Sequence, residues 1–190
     1  MGTKKNLYFL LDHLREINLD YTKNIGANLI LRKPENSPFI ELQKFHRKCL
    51  NRGIGLFIAN NVKILFKLKS NKFYISAFNK NHFNYLKKIN SNIEIIGSAH
   101  NIKEINEKVK QGCKNVLLSR LFETNYKNKK GWLGTTKFNL VSQKVSTNII
   151  ALGGINEKNY KKLKILKAKG FAISSAKKKA GNFLPAFYKK

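Results

Sequence analysis

Acidic residues are scarce in this chain. Ten Asp and Glu stand against 38 Lys and Arg in 190 residues, and the only aspartates are Asp12 and Asp20. Both lie in the first segment, so paired-carboxylate chemistry and hard-cation binding by several carboxylates are all but excluded downstream. Cysteine is equally sparse. Cys49 and Cys113 lie far apart, with no CxxC and no Cys/His cluster. No zinc site or disulfide framework is expected, and a reducing cytoplasm is the default compartment. No window holds the unbroken apolar run that a membrane span needs. Residues 1–26 are interrupted by Lys4, Lys5, Asp12, Arg15, Glu16 and Asp20, which does not suit a secretory signal. Linkers and low-complexity tracts are also missing, so residues 1–190 are expected to form a single domain.

What abounds is positive charge, formally +28. The lysines are spread along the whole chain, arginine is rare, and Asn, Ile, Phe and Tyr are abundant beside them, as AT-rich codons would produce. A nucleic-acid footprint would gather charge on one arm or face and favour arginine. Compositional drift is therefore the preferred reading, and nucleic acid is not an expected partner. A basic nucleic-acid-binding protein stands as the alternative from another class. Under either reading a positive field helps to draw in phosphate or diphosphate ligands.

The apolar residues, 42% of the chain, fall into short runs of strand length: 7–11, 28–32, 56–59, 73–76, 93–97, 115–119, 148–152 and 170–174. Runs of this kind, bounded by Gly, Asn or Ser, suit strands buried in a parallel sheet. Between them lie amphipathic segments. One places Phe39, Leu42, Phe45, His46 and Cys49 or Leu50 on a single face, behind Ser37 as cap and Pro38 at the first helical position. A second is capped by Asn101, with Ile102, Ile105 and Val109 inward, Lys103, Glu104, Glu107 and Lys108 outward, and Gly112 as its stop. A third starts at Asn156, turns Tyr160, Leu163 and Leu166 inward, and stops at Gly170. The first unit leaves little room for its helix. Residues 125–134 read as a long polar loop and 177–190 as a short terminal helix. Eight strands alternating with helices fit either a doubly wound sheet or a closed barrel.

Three stretches narrow this choice. Ile96-Gly97-Ser98-Ala99-His100 follows the fifth strand. Leu118-Ser119-Arg120-Leu121-Phe122-Glu123-Thr124-Asn125-Tyr126-Lys127 follows the sixth. Ile150-Ala151-Leu152-Gly153-Gly154-Ile155 is answered by Gly170-Phe171-Ala172-Ile173-Ser174-Ser175-Ala176. Over roughly residues 6–176, and most closely in the second half, the chain resembles the thiamine phosphate synthase family and its sister, the thiazole tautomerase TenI. The resemblance implies a compact (β/α)8 TIM barrel of thiamine biosynthesis. It implies a transferase that couples hydroxymethylpyrimidine diphosphate with thiazole phosphate and releases diphosphate.

Residue by residue, the resemblance places Gly153, Gly154, Ser174 and Ser175 around the thiazole phosphate. Glycine amides and a helix N-terminus after the seventh and eighth strands make a phosphate cradle. It places Thr124 on the thiazole, Lys127 and Arg32 on the leaving diphosphate, and Asn60 and Ser98 among the substrate contacts. The match is incomplete. Ile30 and Pro34 replace the glutamine and lysine that flank the family arginine. Asn61 and Asn79 stand where the Mg²⁺ aspartates would be, and an amide offers one carbonyl oxygen and no charge. Mg²⁺ is accordingly expected to bind weakly, or only through a diphosphate already present.

The Phe122-Glu123-Thr124 run, with glutamate where the synthase has proline, is closer to TenI, whose proton transfer requires no metal. That enzyme's histidine is Arg120 here, a group that stabilises charge but does not act as a base. His100 and Glu123 are then the candidate acid/base groups. Three functions follow: a synthase, a TenI-like tautomerase, or a non-catalytic protein that binds thiazole phosphate.

Overall fold

The computed structural model describes residues 6–124 and 131–174. It is a closed barrel of eight parallel strands in chain order. They are β1 (Asn6–Leu11), β2 (Ala27–Leu31), β3 (Leu56–Ala59), β4 (Lys72–Ile75), β5 (Glu94–Ala99), β6 (Asn115–Ser119), β7 (Asn148–Leu152) and β8 (Gly170–Ser174). The helices are α1 (Leu19–Asn24), α2 (Phe39–Leu50), α3 (Val62–Lys67), α4 (Tyr85–Ile89), α5 (Ile102–Lys110) and α6 (Gly134–Gln143). All eight expected strands form, and β3, β6, β7 and β8 occupy the expected residues. The expected terminal helix at 177–190 lies outside the described residues.

Alternation along each strand splits the apolar residues into two layers. Tyr8, Leu10, Ile30, Phe57, Ala59, Tyr74, Ile96, Leu117, Ile150 and Ala172 fill the barrel interior. Their neighbours, such as Leu29, Ile58, Phe73, Ile95 and Leu118, pack outward beneath Leu42, Leu65 and Ile105 of the helices. Burying an aliphatic side chain of that size stabilises by about 2 kcal/mol. At the closing seam β8 pairs with β1, Gly170 opposite Asn6. A Cβ on Gly170 would stand 2.2 Å from the Asn6 carbonyl oxygen. Gly170 therefore permits the last strand to meet the first, rather than stopping a helix as its sequence context suggests.

The compactness comes from the connections. The units after β1, β3 and β4 use helices of only five or six residues. After β7 a 3₁₀ turn at Tyr160–Ile165 replaces the expected helix, and it starts from Asn159 rather than Asn156. Asn156 instead accepts from the Lys158 amide. Two further expectations need correcting, and one open alternative is settled. Pro38 occupies the N-cap of α2, so Ser37 does not cap it. Of the two residues offered for the inward face, Cys49 takes the buried position and Leu50 is exposed. On α5 the expected roles of Val109 and Lys108 are exchanged: Val109 is 40% exposed and Lys108 1%. The long Lys108 side chain runs along the sheet and donates from Nζ to the Asn79 carbonyl (2.7 Å) and to Gln111 Oε1 (2.9 Å).

Candidate functional site at the barrel mouth

In a parallel barrel the C-terminal strand ends and the loops that leave them form one face. Arg32, Asn60, Ser98, His100, Glu123, Thr124, Gly153, Gly154 and Ser174 all sit at strand ends or loops of this face. Lys127 and Ser175 lie outside the described residues.

Arg32, just beyond β2, forms an ion pair with Asp12, just beyond β1. Its charge reaches the barrel interior. Burial pushes the Tyr74 hydroxyl up, while a hydrogen bond to Ser98 and the Arg32 guanidinium pull it back. That bond runs from Tyr74 Oη to Ser98 Oγ at 2.8 Å. Among the described residues only three buried side-chain polar atoms lack a hydrogen-bond partner: Arg32 Nε, Ser142 Oγ and Ser174 Oγ. Two of the three are at the mouth. They sit at the C-terminal ends of the strands on either side of β1, Arg32 just beyond β2 and Ser174 closing β8, since Leu10 pairs with Ile30 on one side and Ser174 on the other. A buried polar atom without a partner costs about 1–3 kcal/mol.

The β3–β4 rim is built differently. Asn60 adopts φ 56, a left-handed conformation that asparagine tolerates better than most residues. Its Oδ1 accepts from the Ser76 amide (3.0 Å) and from Asn79 Nδ2 (3.1 Å), while its Nδ2 donates to Ser76 Oγ (2.9 Å). Asn61 Oδ1 caps α3 by accepting from the Ile64 amide at 2.9 Å. Asn79 Oδ1 accepts from the Asn81 amide at 2.9 Å. All three amide oxygens are thus engaged within the protein, and none carries charge. This donor set does not fit a hard divalent cation. Among the described residues no group of three or more His, Cys, Asp or Glu is arranged to hold a metal.

The β6–β7 side is held by backbone packing. Gly154 has φ 72, and a Cβ there would meet the carbonyl oxygens of Phe122 and Glu123 at 2.4 and 2.5 Å. Beside it, a Cβ on Gly153 would stand 3.3 Å from Arg120. The groups that come close to these glycines are the β6 loop and Arg120. Arg120 donates to Thr124 Oγ1 (3.0 Å) and to the Gly131 carbonyl (2.9 Å). Glu123 is exposed. His100 Nδ1 lies 2.9 Å from Glu104 Oε2.

Asp12, Tyr74, Ser76 and Glu104 were not singled out as site residues from the sequence. Asp12 carried a usable signal, an acid at a strand end in a chain with two aspartates. Glu104 carried another, the Asn-x-x-Glu spacing of a capping box.

A closed barrel of eight parallel strands with its loops gathered at the C-terminal mouth defines the class of (β/α)8 proteins. The sequence profile of the family described as "Thiamine monophosphate synthase" matches residues 27–176, and the chain belongs to that family. It is similar to the thiamine-phosphate synthase of Prochlorococcus marinus subsp. pastoris, 29% identical over 174 residues, covering 85% of this chain and 48% of that protein. A second thiamine-phosphate synthase, from Prochlorococcus marinus strain SARG, is 33% identical over 91 residues, covering 47% of this chain and 26% of that protein. The chain thus spans about half or less of the length of these curated relatives. Among solved structures, a thiamine phosphate pyrophosphorylase from Pyrococcus furiosus superposes with a TM-score of 0.72 at 20% identity, covering 95% of this chain and 91% of its own. A structure titled "Native KDPGal structure" gives 0.65 at 12% identity, covering 98% and 96%. At such identities the structural likeness shows the fold. No helix among the described residues is long and apolar enough to cross a membrane.

Proposed function

We propose that the barrel mouth binds a phosphorylated thiazole against Ser174 and its neighbours, and a pyrimidine diphosphate against Arg32. The observation that carries this reading is the pair of buried, unpartnered polar atoms, Ser174 Oγ and Arg32 Nε, flanking β1. The neighbours on the thiazole side are Gly153, Gly154, Thr124 and, by the family resemblance, Ser175. In a coupling reaction the thiazole nitrogen would form a bond to the pyrimidine methylene carbon as its C–O bond to diphosphate breaks. Arg32, with Lys127, would take up the charge on the departing group. Asn60 and Ser98 would shape the pyrimidine side. We place the protein among cytoplasmic small-molecule enzymes, with no nucleic-acid partner.

A metal route through Asn60, Asn61 and Asn79 is not part of this reading, because their oxygens are engaged elsewhere. The same observation favours a second reading, a TenI-like isomerase or a binding-only relative. His100 and Glu123 are then the acid/base candidates, since proton transfer requires no metal. The test is calorimetric titration with thiazole phosphate and, separately, with the pyrimidine diphosphate, with and without Mg²⁺. Thiazole phosphate should bind without Mg²⁺, and Ser174→Asp or Ser175→Asp should abolish that binding by placing like charge in the cradle. Unchanged binding in both variants would put the cradle elsewhere. Product formation from both substrates then separates synthase from the other two readings.

A further inference from the structure

Lys108 at the end of α5 and Gln111 just beyond it are buried polar side chains, 1% and 2% exposed. Both reach the turn that follows β4. Lys108 Nζ (2.7 Å) and Gln111 Nε2 (3.0 Å) donate to one acceptor, the Asn79 carbonyl. Gln111 Nε2 donates to the Asn81 carbonyl as well, at 2.8 Å. Gly97 of β5 leaves room for the lysine stem, since a Cβ there would stand 2.9 Å from Lys108 Cδ. A buried ammonium bonded to two neutral oxygens is costly, and a methionine would fill much the same space without that cost. What the ammonium holds explains it. Residues 76–82 include no buried residue, and Phe78 is 81% exposed. Apolar burial therefore does not seat this turn, and the polar contacts from α5 do.

The grip on Asn79 is passed to the mouth. The Asn79 amide donates to the Ser76 carbonyl at 3.1 Å. Its Nδ2 donates to Asn60 Oδ1 at 3.1 Å, and its Oδ1 accepts from the Asn81 amide at 2.9 Å. Every polar group of Asn79 is thus bonded, so the carbonyl does not shift without moving the side chain set against Asn60. We infer that Lys108 and Gln111 are positioning residues: through the Asn79 carbonyl they hold the turn after β4, and with it the Asn60 wall of the pyrimidine side. The inference rests on the proposed reading of the mouth as a two-ligand site. Neither residue touches ligand. They keep Asn60 and Asn79 ordered beforehand, so that binding does not have to order them.

The experiment compares the native full chain with Lys108→Met, which keeps an unbranched stem and removes the donors, and with Gln111→Met. If Lys108→Met does not fold, Gln111→Met carries the same test. Backbone hydrogen exchange, read by mass spectrometry, should speed about tenfold over residues 76–83 in each variant and stay unchanged over β7 and β8. Calorimetry should find the pyrimidine diphosphate bound about tenfold more weakly, with thiazole phosphate bound as before. Unchanged exchange over 76–83 would overturn the grip itself. Faster exchange with both affinities unchanged, or with equal losses for the two ligands, would make Lys108 and Gln111 structural only and overturn the positioning role. A native chain that binds thiazole phosphate but no pyrimidine diphosphate would sink the reading of the pyrimidine side, and the inference with it.

Discussion

The rim of this barrel is finished in two ways. Over β3 and β4 the polar groups satisfy one another: Asn60, Ser76 and Asn79 form a closed set, and Asn61 is spent on the cap of α3. Over β8, β1 and β2 a serine hydroxyl and a guanidinium nitrogen are buried with nothing to bind. Folding alone explains the first arrangement, since each contact removes an unsatisfied polar group. It does not explain the second, which costs stability unless a ligand supplies the missing acceptors. The contrast separates polar groups that hold the mouth in shape from the two that the proposed function assigns to substrate.

The sharpest break comes from the wall beside the open arc. Gly154→Ala drives a methyl group into the carbonyl oxygens of Phe122 and Glu123 at a positive φ, and should cost about 3 kcal/mol. Thermal unfolding reads this as a fall in Tm of roughly 6–12 °C for a domain of this size. A fall within experimental error would mean that the β6 loop is not seated on Gly154.

Next in size is Arg32→Ala. Removing a charged donor set should weaken binding of the pyrimidine diphosphate by about 10–100-fold, since hydrogen bonds to charged groups are worth roughly 1.5–3 kcal/mol. Calorimetry should find the thiazole phosphate affinity little changed, because the proposed function seats the two anions on opposite flanks of β1. Equal losses for both ligands would merge the two subsites into one.

The closed arc is probed by repairing it. Asn61→Asp should be tolerated, because aspartate caps a helix as well as asparagine does. Asn79→Asp turns the donor facing Asn60 Oδ1 into an acceptor, and should cost about 1–2 kcal/mol. The double variant should bind Mg²⁺ more tightly than the native chain and raise any synthase turnover, as each carboxylate brings a full charge to the ion. Tight Mg²⁺ binding and vigorous Mg²⁺-dependent turnover by the native protein would contradict the account of these asparagines.

The smallest effect concerns pH. Glu104 titrates below the ordinary carboxyl value of 4.5 in the folded chain. Its contribution to stability is therefore complete above that value and is lost as the pH falls through the depressed one. Urea unfolding of the native protein and Glu104→Gln should show a stability difference that is constant near neutrality and shrinks below about pH 4.5. A difference that persists undiminished into acid would show that the carboxylate charge is not what Glu104 contributes.

The strands were the most legible part of this molecule. Eight short apolar runs between polar segments admit few other readings, and their alternation separates interior from outer wall. Barrel closure and the site positions came from motif resemblance, because periodicity alone fits an open sheet equally well. Lys108 was misread for a physical reason: on a helical wheel it belongs to the polar face, yet its stem is long enough to lie buried while Nζ reaches the Asn79 carbonyl. The glycines at 153 and 154 were expected around the thiazole phosphate, and the structure adds that their Cβ directions face Arg120 and the β6 loop backbone. Which carbonyl stands against a glycine is a tertiary fact that no local spacing encodes. The Asp12–Arg32 and Glu104–His100 pairs divide in the same manner. The second lies four residues apart within one turn and is readable in principle, while the first joins two strand ends that only the barrel makes neighbours.

The central claim is that the arc over β8, β1 and β2 takes the phosphates while the arc over β3 and β4 is structural. A crystal structure of the protein soaked with thiazole phosphate, with and without the pyrimidine diphosphate and Mg²⁺, tests it most directly. The account predicts phosphate oxygens within about 3 Å of Ser174 Oγ for the thiazole ligand and of Arg32 Nε for the diphosphate, with Asn60, Asn61 and Asn79 keeping their present hydrogen bonds. Phosphate and Mg²⁺ seated against those three asparagines, with Ser174 and Arg32 untouched, would contradict it.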